Sequence, residues 1–381
     1  MGNKVIFGKP DIKKEDIQSA VDVLRSGWIG MGAVTEALER AFIKFTGARY
    51  AVAVSSGSGG LFLSMLASGI GKGDEVITSP MTFPATASEV IHTGARVRFV
   101  DVDSTGNMDA AKIERAVTRK TKAILPIHLH GRPCDMSAII GLARKHGLMV
   151  IEDAAHAFGA TYRGKSIGNI GDTTVFSLYA TKNITAAEGG VVTTNNKKIA
   201  DRIRLLRSYG ITKTAWSRFG KKGHSMPYDT LVPGYNFEIP DLLSAIALSQ
   251  MKEYSRKRAR REWIWDRYNR HFQQLPIGLP PLYNEGNHGM HLYAIAVDRE
   301  KAGMDRETAR ERLNAAGIGT GIHFVSLHLH SYFRDTYHLK PGDFPNALRI
   351  SRQTLSLPLA SGMTEHEVIR VIQSVKRIFN G

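Results

Sequence analysis

Met149 to Ala160 reads MVIEDAAHAFGA, and Phe176 to Gly190 reads FSLYATKNITAAEGG. An apolar run, Leu148 to Ile151, ends in Glu152 and Asp153, so a buried strand delivers an acid at its carboxyl end. That end is where open α/β sheets place their ligands. A second short strand, Thr174 to Phe176, follows, and Lys182 then stands in a stretch, Leu178 to Ala187, with no other charge. An acid and a lysine brought together in this way suit pyridoxal phosphate. The amine carries that cofactor as a Schiff base, and the carboxylate keeps the pyridine nitrogen protonated so that the ring accepts electrons. Taken alone, the pair has a plainer reading: Asp153 caps the next helix and Lys182 is solvated.

The surrounding words favour the chemical reading. EDAAHAFG, FSLYATKNIT and EGG, in this order and spacing, resemble the DegT/DnrJ/EryC1/StrS aminotransferases, which act on sugars and mostly on nucleotide-linked keto sugars. The resemblance runs from about Trp28 to Met363. It implies an α/β protein of fold-type I, with a seven-stranded, mostly parallel sheet between helices and a smaller α+β C-terminal domain. The expected divisions are an N-terminal helix and pocket border (1–35), a large cofactor domain (36–245) and the small domain (246–381). Strands at Tyr50 to Val54, Asp74 to Ser79, Val97 to Val100 and Ala123 to Ile127, with helices between them, agree with a mostly parallel sheet.

By the same resemblance Lys182 is the catalytic residue and Asp153 the partner of the pyridine nitrogen. His156 falls where relatives place Gln or His against the phenolic oxygen, and Ser177 matches a phosphate-binding hydroxyl. SSGSGG, Ser55 to Gly60, joins a strand to an apolar helix, where backbone N–H groups can approach a phosphate. It is similar to the family's SSGTAAL, which carries phosphate binding to Ser58 and Gly59. Phe83 of MTFPAT matches the aromatic laid against the cofactor ring, with core packing as the other reading. Asn236 of GYNFEIPD matches an Asn that reaches the cofactor phosphate of the partner subunit, so a homodimer with shared sites is expected.

Substrate contacts follow from further matches. They fall on Trp28 in GWIGMG, His130 in HLHGRPCDM, Glu188 in EGG, and His323 and His328 in GIGTGIHFVSLHLHSYF. Trp28 reads equally as core. His130 stands where relatives carry an aromatic, Glu238 where many carry Arg, and Val325-Ser326 where they carry x-Pro. These departures bear on which sugar is taken. The implied reaction moves an amino group from L-glutamate, giving 2-oxoglutarate, to a keto sugar, as in the bacterial enzymes that aminate C4 of UDP-linked 4-keto sugars. A dehydratase branch has His in place of the lysine, which Lys182 speaks against. A binding protein on this fold would tolerate loss of Lys182, Asp153 or Ser177, and all three are present.

Composition bounds the rest. With 381 residues and 43% apolar content the chain can bury a large core and two domains. No run approaches a membrane span, and MGNKVIFGKP lacks an apolar h-region, with Ile6 where a myristoylation signal wants Ser or Thr, so a cytoplasmic protein is expected. Single Cys134 excludes an internal disulfide, and the sequon at Asn183 lies inside the proposed site. The formal charge of +16 raises a nucleic-acid reading, centred on Lys252 to Arg270. Basic and aromatic residues alternate there at helical spacing, which predicts an amphipathic helix; no nucleic-acid partner is expected, and the charge suits an anionic sugar diphosphate. His323, His328 and His330 lack acid or Cys ligands at zinc spacing, so no metal is expected. Asp11 to Arg25 predicts a helix capped by Asp11, with Ile12, Ile17, Ala20, Val21 and Leu24 on one face. Leu242 to Met251 predicts an apolar helix that wants a partner surface, or else packs within its own chain.

Overall fold

The computed structural model describes residues 4–220 and 227–380. Seven strands form the central sheet: β1 (Tyr50–Val54), β2 (Glu75–Thr78), β3 (Arg96–Phe99), β4 (Thr121–Leu125), β5 (Met149–Asp153), β6 (Thr173–Ser177) and β7 (Gly190–Thr194). Their order is β1-β7-β6-β5-β4-β2-β3, with β7 antiparallel to both neighbours and the other pairs parallel. The expected mostly parallel sheet is therefore the one observed.

Period-two alternation sends each strand's side chains to two covered faces. Ala51 and Ala53 of β1 join Ile124 and Val150 in one cluster, against Leu38 and Phe42 of α2 (Ala33–Thr46). Val52 and Val54 join Leu125 and Ile151 in the other, against α3 (Gly57–Ala67), whose turns are apolar on all sides and buried. Asp153 and Ser177 close their strands on the side where α3 begins, and α4 (Pro84–His92) starts from the loop after β2.

A third cluster gathers α5 (Asp241–Lys252)'s neighbour α6 (Tyr254–Phe272), β8 (Tyr293–Ala296), α7 (Arg306–Ala315), β9 (Thr354–Leu357) and α8 (Glu365–Phe379), with Val5 from the N-terminal arm. Helix α6 is the amphipathic helix that the basic and aromatic alternation predicts. Tyr254, Lys257, Arg261, Ile264, Trp265, Tyr268 and Phe272 form its buried face, and the two cations there end on backbone carbonyls: Lys257 on Asp11, and Arg261 on Met290, His291 and Leu359. The expected division at 245/246 falls inside α5.

Two expectations need correction. Helix α1 is Lys14–Ser26 and Asp11 does not cap it; the Lys13 N–H is taken by Asp16 instead. Asp11 accepts from Ser361 Oγ at 3.0 Å and pairs with Lys13, Arg256 and Lys257, tying the arm to α6 and the chain's end. Second, the apolar stripe read there is not buried along its length: Ile12, which precedes α1, and Ile17 and Leu24 on it are exposed, while Ala20 and Val21 are half-buried. Helix α5 packs against α1 and α2 of its own chain, with Leu242, Leu243, Ile246 and Leu248 half-buried. No described helix is long and apolar enough to cross a membrane.

Candidate active site

The carboxyl ends of β5 and β6, the first turn of α3 and the loop before β7 line a cleft of about 620 Å³, a size typical of small-molecule sites. The adjacent acids of β5 point to opposite sides, as neighbours in a strand must. Glu152 is fully buried and satisfied: it meets His128 Nε2 at 2.8 Å and accepts from Thr174 Oγ1 at 2.6 Å and Gly171 N at 2.7 Å. Asp153 lines the cleft. Its Oδ2 accepts from Thr86 Oγ1 at 2.7 Å and its Oδ1 from Ala155 N at 3.1 Å, which fixes the plane of the carboxylate.

Lys182 lines the same cleft, on a turn held by its N–H to Tyr179 O at 2.9 Å. Burial pulls its amine down to about 8, with the charge of Asp153 acting the other way. No other Lys or Arg among the described residues lines the cleft. An amine near neutrality is one that can be a nucleophile and proton carrier.

Opposite stands an anion cradle. Ser56 caps α3, its Oγ accepting from Gly59 N at 3.0 Å. The first-turn amides of Gly57 and Ser58 have no carbonyl four residues back within the helix, and the helix dipole adds positive potential. Ser58 and Ser177 bring hydroxyls to the cleft wall. The close approach of strand and helix depends on glycine: a Cβ on Gly190 would lie 2.6 Å from Ser56 O, and one on Gly59 would lie 2.8 Å from the Phe237 ring. Gly59 faces away from the cleft with its amide taken by Ser56, so the available amides fall on Gly57 and Ser58 rather than on Ser58 and Gly59.

Three imidazoles form the far wall: His156, His291 and His323. The His156 and His291 rings lie 4.5 Å apart, and His156 Nδ1 is buried without a hydrogen-bond partner. Asn183, of the sequon, is buried; it donates to Gly289 O at 2.6 Å and meets His291 Nδ1 at 3.1 Å. His323 Nδ1 meets Ser356 Oγ at 2.9 Å. Burial keeps all three neutral, lowering His323 to about 3 and the other two well below the usual range, with the Lys182 charge adding to the effect. Phe83 and Glu188 also line the cleft, both exposed.

The other expected contacts are not brought to this chain's cleft. Trp28 donates to Met31 O and packs edge-on against Trp216. His130 lies behind the wall, where its Nε2–H donates to His323 O at 2.8 Å and burial lowers its pKa to about 4. His328 is fully buried, its nitrogens engaged by Ser326 Oγ and Pro341 O. Asn236 is exposed, its backbone bridged to Ser208. Sequence reasoning missed Thr86, which orients Asp153 from 67 residues away, and His291, one of two His just ahead of an apolar strand. Neither carries a local signal. Among the described residues no group of three or more His, Cys, Asp or Glu is arranged to hold a metal ion.

An anion cradle, a fixed carboxylate, an unpartnered buried imidazole nitrogen and a near-neutral amine together suit a phosphorylated, phenolic pyridine. Comparison with known proteins agrees. The DegT/DnrJ/EryC1/StrS aminotransferase family matches residues 10–376. The chain is 45% identical over 378 residues to the spore coat polysaccharide biosynthesis protein SpsC of Bacillus subtilis (strain 168), covering 98% of this chain and 97% of SpsC. The Streptococcus pneumoniae protein Spr1654, solved in PLP and PMP forms, superposes its PLP form with a TM-score of 0.91 at 30% identity, covering 99% of this chain and 98% of that one. DesI, solved in the presence of its TDP-sugar product, gives 0.88 at 29% identity over 99% of this chain and 93% of DesI. The chain thus belongs to the DegT/DnrJ/EryC1/StrS family of pyridoxal-phosphate-dependent sugar aminotransferases, with the fold-type I architecture.

Proposed function

We propose that the protein transfers an amino group from L-glutamate to a nucleotide-linked 4-keto sugar in the cytoplasm, releasing 2-oxoglutarate, as a step in making surface polysaccharide or amino sugars. The observation that carries this reading is that Lys182 and Asp153 face one cleft, with the amine brought to about 8 by burial. Bound pyridoxal phosphate supplies an electron sink for charge developed at the substrate carbon. Asp153, its carboxylate fixed by Thr86, would hold the positive charge at the ring nitrogen. Ser58, Ser177 and the amides of Gly57 and Ser58 would hold the phosphate. His156, with its unpartnered nitrogen, would serve the phenolic oxygen, and Phe83 would lie against the ring. Lys182 would anchor the cofactor and carry the protons, taking one from the α-carbon of the donor and, in the second half, delivering one to the aminated carbon of the sugar. His323 and Glu188 face the sugar, while His130 acts at one remove by holding the His323 carbonyl.

The nucleotide linkage has support in DesI and its TDP-sugar, and the polysaccharide setting in SpsC. The active unit in this reading is a homodimer. Asn236 is exposed and outside its own cleft, that cleft offers Lys182 alone as a Lys or Arg among the described residues, and Ile12 together with Ile17 and Leu24 of α1 is uncovered. Asn236 of one subunit then completes the phosphate site of the other. Purified protein given glutamate and a panel of nucleotide-linked keto sugars should yield an amino sugar by mass detection. No product from any 4-keto sugar, or the same product without glutamate, would overturn the reading. Mixed Lys182→Ala and Asn236→Ala subunits, each inactive alone, should regain part of the activity; a fully active monomer would remove the shared site.

A further inference from the structure

His291 is the imidazole of the cleft whose hydrogen-bonding state the surrounding chain fixes. Asn183 Nδ2 donates to Gly289 O at 2.6 Å, which orients the amide and leaves Asn183 Oδ1 as an acceptor. Its partner at 3.1 Å is His291 Nδ1, which therefore carries the ring hydrogen. The ring is neutral, since burial and then the Lys182 charge lower its pKa. Nε2 is consequently a bare acceptor. No donor among the described residues meets it, it is absent from the buried unpartnered atoms, and the residue lines the cleft.

The backbone behind the ring is clamped as well. Buried Arg261 donates from one nitrogen to the carbonyls of Met290 at 3.2 Å, His291 at 3.3 Å and Leu359 at 3.0 Å. A side chain held at both backbone and Nδ1 presents its acceptor in a set direction, and such an acceptor costs affinity if a bound molecule covers it without donating. Asn183 follows Lys182 directly, so the acceptor is referenced to the reacting amine through one peptide unit.

The two substrates of the proposed reaction differ in what they can offer this atom. Glutamate carries two carboxylates, which an unprotonated nitrogen repels, and its single ammonium is committed to the reacting centre. A sugar carries several hydroxyls, each able to donate. We infer that His291 is a specificity-determining residue of the sugar half-reaction, its Nε2 accepting a hydrogen bond from one hydroxyl of the keto sugar. This rests on the sugar aminotransferase reading above.

The test follows the two half-reactions separately on purified holoenzyme by cofactor absorbance, in wild type, His291→Phe and His291→Gln. Phenylalanine keeps the ring and removes the acceptor; glutamine restores an acceptor at similar reach. In His291→Phe the glutamate half-reaction should stay within about twofold of wild type while KM for the keto sugar rises about tenfold, and His291→Gln should recover most of that loss. Against a set of keto sugars each lacking one hydroxyl, one analogue should be handled equally by wild type and His291→Phe. Equal losses in both halves, no change in either, or a difference that no deoxy analogue erases would overturn the inference. Thermal melts and cofactor loading monitor folding, and His291→Leu replaces the Phe variant if that one does not fold. A wild type that reacts with glutamate but with no keto sugar brings down the proposed function and this inference together; normal sugar turnover in wild type and His291→Phe alike removes this inference alone.

Discussion

At the floor of the cleft the residues are ends of regular elements: Asp153 closes β5, Ser177 closes β6, and Gly57 and Ser58 open α3. Along the wall His156, His291 and His323 come from irregular segments, and two of the three rings are set by a side chain from elsewhere, His291 by Asn183 and His323 by Ser356. Floor positions follow from where strands stop and helices begin, which local patterning dictates. Wall positions follow from long-range packing, so His323 and His328, five residues apart, end in opposite circumstances. One lines the cleft and the other is sealed in the core.

The floor, with the Lys182 turn beside it, should therefore be the costlier place to mutate. Lys182→Ala should lower turnover by on the order of 10⁴-fold or more, since the group that anchors the cofactor and carries the proton is gone. Borohydride treatment of wild type should fix the cofactor covalently to the chain, and in Lys182→Ala it should not. Trapping that survives in the variant would move the anchor to another residue.

Asp153→Asn comes next. An amide keeps the shape and the Thr86 contact but cannot hold a pyridinium by charge, so the cofactor should still bind while transamination falls roughly a thousandfold, about 4 kcal/mol of transition-state stabilisation. Thr86→Val sharpens the same point, because it removes one charge-assisted hydrogen bond from Asp153 and should cost roughly tenfold in kcat. A variant of Asp153 within tenfold of wild type would show that the floor carboxylate is not the ring's partner.

How far the sequence could be read follows this division. The strand-end acid, the Lys182 turn, the Ser-Gly loop and the seven-stranded sheet all rest on local words and were legible. Choosing Asp153 over Glu152 was possible only through its neighbours in the motif; the physical distinction, a carboxylate buried on His128 and Thr174 against one facing the cleft, needs the fold. The amide at Gly59 was misplaced by one residue because Ser56, not an external anion, satisfies it. Asp11 was misread as a cap because an acid just before an apolar period is the usual cap signal, whereas here Lys257 and Ser361, remote in sequence, claim it. The apolar stripe of α1 announced burial that its own chain does not provide.

Behind the wall, His328→Ala tests whether a motif histidine acts by packing. Losing two hydrogen bonds and opening a small cavity should cost about 2 kcal/mol of stability in urea unfolding. KM for the keto sugar should stay within about twofold. His323→Ala should do the reverse, leaving stability nearly intact and raising that KM. A raised KM in the His328 variant at unchanged stability would erase the distinction between the two.

The smallest effect concerns the floor in the absence of cofactor. Burial lowers the Lys182 amine from 10.5 to about 8, so in the apo-protein the charged form is disfavoured by folding. Below about pH 8 the lysine is protonated in both folded and unfolded chains, and the folded state bears the full penalty. Between about 8 and 10.5 the unfolded chain holds more protons than the folded one, so stability rises with pH and the penalty disappears. Lys182→Met has no such charge. The apo variant should be more stable than apo wild type at pH 7, and the gap should shrink by about 1 to 3 kcal/mol by pH 10.5, the lower figure applying to the extent that water in the cleft screens the amine. Urea unfolding of both apo-proteins at intervals from pH 7 to 10.5 measures the gap. A difference that is flat or widens with pH would show that the amine is not held near neutrality by burial, and the case for Lys182 as a poised proton carrier would lose its physical basis.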